Sequence, residues 1–194
     1  MPTIRRVERM IRVLKHRQPD LTVVCENIHD PHNVSAILRS CDAVGIEQIQ
    51  LLYTDHEFPK LGKKSSASAK KWIDIRRYQH SEDLRQALKA NHFQIYATQL
   101  SGHSVSIYDI DWTRPSAIIV GNEHQGVSDD ALQIADQSIY IPMLGMVQSL
   151  NVSVATAVIL YEACRQRLIN GQYPNPELTQ EKLSSMLERW QEKG

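Results

Sequence analysis

The sequence has few cysteines and no cysteine motif. Its three cysteines, Cys25, Cys41 and Cys164, are odd in number, lie far apart and form no C-x-x-C pair. Disulfide scaffolds and structural zinc sites depend on paired or closely spaced cysteines, so both are disfavoured. We therefore expect a reducing, cytoplasmic localisation and no bound metal.

Long apolar runs and the usual nucleotide loop are also missing. The most hydrophobic segment, 152–160, is too short for a membrane span, so no membrane association is expected. The N-terminal MPTIRRVERMIRVLKHRQ has no uninterrupted apolar core and no small-residue cleavage site, which predicts no secretory signal. No G-x-G-x-x-G loop follows a predicted strand, which argues against a nucleotide-dependent oxidoreductase.

The net charge of zero conceals two basic segments. Residues 1–20 carry six basic side chains against two acidic ones, and residues 60–77 carry seven against one. Such patches on a neutral protein suggest a polyanionic partner. Two solvated helix faces would explain the same pattern.

Predicted strands and helices alternate along the chain. Apolar runs and two-residue alternation predict strands over 19–28, 47–53, 72–78, 93–100, 116–123 and 137–143. Helical periodicity predicts helices over 4–17, 33–45, 81–92, 128–135 and 149–168, with a last one inside 171–194. This order predicts an α/β fold with a mainly parallel sheet flanked by helices.

The ends of three helices carry candidate caps, and the first helix has an apolar stripe. Asn33, Ser81 and Ser149 are side chains that favour N-cap positions, and Asn151 would follow in the first turn of the last long helix. The first helix has apolar residues with a helical period, which predicts its inner face: Ile4, Val7, Ile11 and Leu14.

Polar residues gather where three predicted strands end. The segments are HDPHNVSAILRS, GNEHQG and LGMVQSLN. In parallel sheets these ends meet at one edge and bind ligands there. Each segment alone has an ordinary structural explanation, namely a helix cap or a glycine turn. Together they predict a ligand site beside the start of the buried helix, where backbone N–H groups favour anions.

Taken together, the segments NIHDPHNVSAILRSCDAVG, IIVGNEHQGVS and IPMLGMVQSLNVSVATAVILYEA resemble the three signature motifs of the SPOUT methyltransferases, and within them the TrmH branch. The likeness extends from about residue 5 to residue 168. It implies a parallel α/β sheet whose C-terminal part forms a deep trefoil knot, and a homodimer whose active site is completed across the interface. It also implies three parts: an RNA-binding helix in 1–18, the methyltransferase domain in 19–170 and a helical tail in 171–194.

The implied reaction is S-adenosylmethionine-dependent methylation of a ribose 2′-hydroxyl in tRNA, at guanosine 18 of the D-loop. Another tRNA or rRNA ribose is the first alternative, and a catalytically silent RNA-binding protein is the second. The resemblance implies active-site roles for Arg39, Asn33, Glu123, Ser149 and Asn151. It implies a donor pocket lined by Thr98, Gln99, Leu100, Gly121, Ile141, Met143 and Leu150.

Substrate tRNA would then contact the basic segments through its phosphates. The candidate contacts are Arg5, Arg9, Arg12, Lys63, Lys64, Lys70 and Lys71. Two features depart from the family pattern. Lys70 and Lys71 occupy positions where relatives often have small residues, and the short tail is slightly acidic, which favours a part in the dimer over a grip on RNA.

Overall fold

Seven strands form one sheet in the computed structural model, which describes residues 2–55, 57–59, 69–174 and 178–193. The strands are β1 (Leu21–Glu26), β2 (Gln48–Leu52), β3 (Asp74–Tyr78), β4 (Gln94–Thr98), β5 (Val105–Ser106), β6 (Ser116–Val120) and β7 (Gln137–Tyr140). Their order is β3-β2-β1-β6-β4-β7-β5, and every pair is parallel. The predicted α/β class and mainly parallel sheet are confirmed.

Six α-helices within these described ranges connect and flank the strands. They are α1 (Ile4–Lys15), α2 (Pro31–Ala43), α3 (Ser81–Lys89), α4 (Asp129–Gln133), α5 (Val152–Ile169) and α6 (Gln180–Glu192). Short 3₁₀ turns occur at Ala69–Lys71 and Ile107–Asp109. One apolar core includes residues of α2 and α5, and a second includes residues of α3 and α4. The fully buried strands β1 and β6 contribute to both cores.

The predicted caps of three helices are wrong. Asp30 caps α2 and accepts a hydrogen bond from the backbone of His32, which leaves Asn33 inside the first turn. Asn151 caps α5 in place of Ser149, because its carbonyl oxygen accepts from two backbone N–H groups. The N-cap of α3 is His80, which makes no side-chain cap bond, and Ser81 is the first helical residue.

The predicted inner face of α1 is also wrong in part. Leu14 is buried as expected, but Ile4 is 81% exposed and Ile11 is 37% exposed, while Met10 is buried. The reason is that α6 packs along the Met10–Leu14 side of α1, where Met186 and Trp190 join the same apolar cluster. The sequence periodicity of α1 alone could not show which side a distant helix would cover.

Two arginines lie fully inside the protein. Arg17 donates to the backbone carbonyl of Ile46 and pairs with Asp42, so this member of the N-terminal basic segment cannot contact RNA. Arg167 of α5 pairs with Asp20 and also donates to the carbonyl of Trp112. Buried guanidinium groups need such partners because desolvation of an unpaired charge is costly.

Candidate active site

The sheet order brings the polar loops to one edge. Strands β1, β6, β4 and β7 are consecutive neighbours and run in the same direction, so their carboxyl ends lie side by side. The segments that follow β1, β6 and β7 are the three polar segments singled out in the sequence. This arrangement is the one in which open parallel sheets bind their ligands.

Three side chains from these segments form a hydrogen-bonded chain. The amide of Asn151 donates to Asn33 Oδ1 at 3.1 Å, and Asn33 Nδ2 donates to Glu123 Oε1 at 2.7 Å. Each segment contributes one residue, so the chain joins the start of α5 to α2 and to the loop after β6. We refer to these residues as the Asn–Asn–Glu chain.

Glu123 ends the Asn–Asn–Glu chain and also holds the loop that precedes α2. Its carboxylate accepts from the backbone N–H groups of His29 at 3.2 Å and Asp30 at 3.4 Å. Partial burial would raise the pKa of Glu123, but the donors from Asn33 and the backbone outweigh it and lower the pKa below its ordinary value. Glu123 therefore stays ionised at neutral pH, as an acceptor for three N–H groups.

Asn151 has two functions in the structure. Its carbonyl oxygen accepts from the backbone of Ser153 at 2.9 Å and from Val154 at 3.4 Å, which caps α5. Its amide reaches Asn33, as described above. Ser149 and Gln148 are exposed and form no hydrogen bond with any residue that the structure describes. Of the polar side chains before α5, only Asn151 is thus explained by folding alone.

Arg39 stands apart from the Asn–Asn–Glu chain. It lies on α2, six residues after Asn33, and its side chain is exposed. It forms no hydrogen bond or ion pair with the described part of the chain. An exposed guanidinium without an internal partner keeps all of its donors for a ligand.

A loop residue that the sequence did not single out connects two of the segments. Asn122 Nδ2 donates to the carbonyl of Asn27 at 2.9 Å, and Asn122 Oδ1 accepts from the backbone of His124 and Gln125 at 2.9 and 3.2 Å. Asn122 thus shapes its own turn and binds that turn to the loop after β1. In the sequence, only the position of Asn122 beside Glu123 in a glycine-bounded turn could have indicated this role.

Gly121 begins the same turn, and its hydrogen atom is a steric requirement. A Cβ at this position would overlap the carbonyl of Gly126 and the backbone nitrogen of Val127. Gly126 itself has φ +73°, in the left-handed region that favours glycine. Glycine is therefore required at both ends of GNEHQG for different reasons: lack of space at Gly121 and a left-handed backbone at Gly126.

Gly121→Ala is expected to lower the free energy of unfolding by about 1–3 kcal/mol, the usual cost of an overpacked position. The turn must move to accommodate the new methyl group, so affinity for S-adenosylmethionine should fall too. Urea denaturation and calorimetry would measure both effects. Gly102→Ala is the matched control, because a Cβ there meets nothing within 4 Å. Equal stability of the two variants would contradict the steric argument.

The candidate donor positions follow three adjacent strands. Thr98 is the last residue of β4 and is followed by Gln99 and Leu100, Gly121 directly follows β6, and Ile141 and Met143 follow β7. Leu150 lies directly before the cap of α5. These positions provide the polar side chains of Thr98 and Gln99, apolar side chains that are half-buried or exposed, a buried glycine and no basic group. That chemistry would fit an adenosyl ligand with a positive sulfonium, since small-ligand sites are mostly apolar with a few polar groups and no basic side chain at these positions would repel the sulfonium.

The candidate RNA contacts divide between two places. Arg5, Arg9 and Arg12 are exposed on α1 and, with Arg6, line a groove of about 970 Å³ whose other walls include Trp72 and Trp190. Lys70 and Lys71 are exposed in the 3₁₀ turn, and Lys71 Nζ donates to the carbonyl of Lys193 at 3.3 Å. Lys63 and Lys64 lie outside the described residues.

Within the described residues, no group of three or more His, Cys, Asp or Glu side chains is arranged to hold a metal ion. Among the helices described, none combines the length and apolarity that a membrane span requires.

A fold with a parallel α/β sheet and three polar loops at one edge is known from a family of proteins. The model of the SpoU rRNA Methylase family matches residues 20–161, and the chain belongs to this family. It is 46% identical to the tRNA (guanosine(18)-2'-O)-methyltransferase of Thermus thermophilus over 95% of each chain. It is 44% identical to the enzyme of that name from Escherichia coli K12, over 92% of this chain and 80% of the relative.

Solved structures agree with the sequence comparison. The TrmH/SpoU tRNA modifying enzyme of A. aeolicus superposes with a TM-score of 0.91, at 42% identity and over 97% of this chain and 96% of the other. The SpoU methyltransferase AviRb of Streptomyces viridochromogenes, solved in complex with the cofactor AdoMet, gives a TM-score of 0.69 at 27% identity, over 78% of this chain and 59% of the other. The resemblance inferred from the three motifs is confirmed.

Proposed function

We propose that this protein is an S-adenosylmethionine-dependent tRNA methyltransferase that modifies the ribose 2′-hydroxyl of guanosine 18. The observation that carries the proposal is the extent of the match. Relatives named for that reaction are 42–46% identical over 92–96% of this chain. The similarity therefore includes α1 and the loops as well as the sheet, so recognition and chemistry are both expected to be shared.

The test is methylation of an unmodified tRNA transcript with methyl-labelled S-adenosylmethionine, followed by mapping of the labelled nucleotide. Label at G18 is expected. A transcript with 2′-deoxyguanosine at position 18 is the matched control, because it lacks only the nucleophilic oxygen and should remain unlabelled. Label at another ribose, or in rRNA alone, would replace the proposed substrate with one of the alternatives. No transfer to any RNA would favour a catalytically silent RNA-binding protein.

The chemistry required of the chain is positioning and charge stabilisation. S-adenosylmethionine, when bound beside the ends of β4, β6 and β7, supplies an electrophilic methyl group. The ribose oxygen must then lie in line with it and lose its proton, because a neutral alcohol is a poor nucleophile. Arginine remains protonated in proteins, which makes Arg39 unsuited to be a conventional base.

Arg39 is therefore assigned an electrostatic role. Its planar guanidinium would bind the RNA phosphate next to the target ribose and stabilise the developing alkoxide. The proton would pass to that phosphate or to water. The exposure of Arg39 and its lack of an internal partner within the described residues support this assignment.

Glu123, Asn33 and Asn151 are assigned a positioning role. Their polar atoms bond to one another and to nearby backbone, so they would hold the loops around the ligand. Ser149 has no such bond with any residue in the described ranges and is exposed. It remains a candidate for direct contact with the ribose or its phosphate.

A homodimer would cover an apolar surface that the single chain leaves exposed. Leu144 and Met146 are fully exposed in the loop before α5, and Tyr161 is 57% exposed on α5 itself. Exposed apolar side chains of this size, close together in sequence, are typical of protein–protein interfaces. We propose that a second copy packs there and completes the active site, and that the segment from β7 through α5 forms the trefoil knot.

The tRNA would contact the arginines of α1 and the lysines near the 3₁₀ turn. The tail contributes to this region indirectly, since Trp190 of α6 packs against Trp72 with ring centroids 4.9 Å apart. The division into an RNA-binding helix, a methyltransferase domain and a tail remains a prediction, as does the cytoplasmic localisation.

A further inference from the structure

A buried carboxylate lies at the candidate site and has no assigned role. Glu26 is the last residue of β1, and only 1% of its surface is exposed. Among the described residues, no lysine, arginine or histidine pairs with it. By contrast, the buried carboxylate of Glu47 pairs with Lys182 at 2.8 Å. An acidic group buried without a counter-ion is costly, so its presence here calls for an explanation.

The hydrogen bonds of Glu26 favour its ionised form. Glu26 Oε1 accepts from Asn27 Nδ2 at 2.8 Å, and Oε2 accepts from the backbone N–H of Ser128 at 3.4 Å. On balance the pKa of Glu26 is raised above its ordinary value: burial is the largest cause and the nearby Asp55 carboxylate adds to it, while the hydrogen bonds from Ser128 and Asn27 oppose the rise. Both oxygens are thus used as acceptors, which is the pattern of a carboxylate rather than a carboxylic acid.

The sheet register gives the location of this charge relative to the candidate donor site. Cys25 pairs with Val120 across β1 and β6, so the next residues, Glu26 and Gly121, are neighbours at the end of the two strands. On the other side of β6, Ala97 pairs with Ile119, which brings Gln99 beside Gly121. Adjacent strands are about 4.8 Å apart, so Glu26 lies within roughly 10 Å of both candidate strand ends.

We propose that Glu26 is the internal counter-charge for the sulfonium of S-adenosylmethionine. It acts through the field of a buried carboxylate, without direct contact, from the strand next to Gly121. The inference rests on the proposed function, because it needs that donor. It assigns to the protein a preference for the positively charged donor over S-adenosylhomocysteine, the neutral product that the reaction leaves behind.

The size of the effect follows from Coulomb's law. At an effective dielectric constant of about 20 and a separation of roughly 10–15 Å, one charge changes the affinity for a cationic ligand by about six- to sixteenfold. S-adenosylhomocysteine has nearly the same shape but no sulfonium, so its affinity does not include this Coulomb interaction. The ratio of the two dissociation constants therefore isolates the charge of Glu26 from any loss of packing.

The experiment is calorimetric titration of the full-length protein with S-adenosylmethionine and with S-adenosylhomocysteine. Glu26→Gln keeps the shape of the side chain and removes its charge. It should weaken binding of S-adenosylmethionine about six- to sixteenfold more than binding of S-adenosylhomocysteine. Glu26→Asp keeps the charge and should keep the ratio close to wild type. Glu26→Met removes the charge with a flexible apolar side chain, and provides the same test if Glu26→Gln does not fold.

Glu47→Gln is the matched control, because it removes a buried carboxylate just before β2, at the opposite edge of the sheet. Its affinity ratio should equal that of the wild-type protein. If Glu26→Gln weakens the binding of both ligands equally, the role of Glu26 is purely structural and the inference is overturned. No change in either dissociation constant would overturn it too. In either case the wild-type protein would still bind donor and methylate G18, so the proposed function would stand. Failure of the wild-type protein to bind either ligand would overturn both.

Discussion

Arg39→Ala is expected to lower the rate of methyl transfer, at saturating donor and tRNA, by about 10²–10³-fold. This is the usual loss when a group that stabilises developing negative charge is removed. Folding should be unaffected, because the Arg39 side chain is exposed and forms no hydrogen bond or ion pair within the described ranges. Single-turnover kinetics with an unmodified transcript, combined with thermal denaturation, would measure both quantities.

Arg39→Lys separates charge from geometry. Lysine keeps the positive charge but lacks the planar pair of donors that matches a phosphate, so most of the loss should persist. Arg85→Ala is the control, since Arg85 is an exposed arginine of α3 that pairs only weakly, at 3.4 Å, with Glu82. Activity of Arg39→Lys near the wild-type level would refute the assigned role of bidentate phosphate recognition.

Asp20→Ala is expected to lower the free energy of unfolding by about 3–5 kcal/mol, because it leaves the guanidinium of Arg167 buried without its counter-charge. Arg167 is fully buried, and its remaining partners would be neutral oxygens: the Gln18 side chain and the backbone carbonyls of residue 20, Trp112 and Arg114. Urea denaturation followed by circular dichroism would provide the value. The effect should be larger than for any surface ion pair in the molecule.

Two variants sharpen the Asp20 experiment. Asp111→Ala removes an exposed pair with Arg114 and two exposed hydrogen bonds from Thr113, so it should cost much less than Asp20→Ala. In the double variant Asp20→Ala, Arg167→Met the buried charge is gone, so the combined loss should be smaller than the sum of the single losses. Additive losses would show that the charge interaction between Asp20 and Arg167 contributes little.

The sequence was sufficient for most of the sheet, because the central strands are continuous apolar runs. The fully buried strands β1 and β6 lie inside the predicted segments 19–28 and 116–123, which were too long by a few residues at their ends. The predicted strands missed β5, because two residues carry no periodicity. The caps were misassigned where two capping residues occur close together, as Asp30 and Asn33 do.

The site was predictable as three loops but not as a network. The hydrogen bonds from Asn33 to Glu123 and from Asn151 to Asn33 join residues separated by 90 and 118 positions, and no local pattern reports such pairs. Glu26 was missed for a different reason. Glu26 lies inside the predicted strand 19–28, but a glutamate near the end of a strand is usually exposed, and only the fold shows that it is buried.

The Asn–Asn–Glu chain has a consequence for how this protein can diverge. Each of its three residues satisfies another, so a single replacement leaves an amide or a carboxylate facing a group it cannot bond. Neutral drift at one position is therefore blocked unless a second position changes with it. Across distant relatives we therefore expect substitutions at the three positions to occur together, although the positions lie in separate parts of the gene.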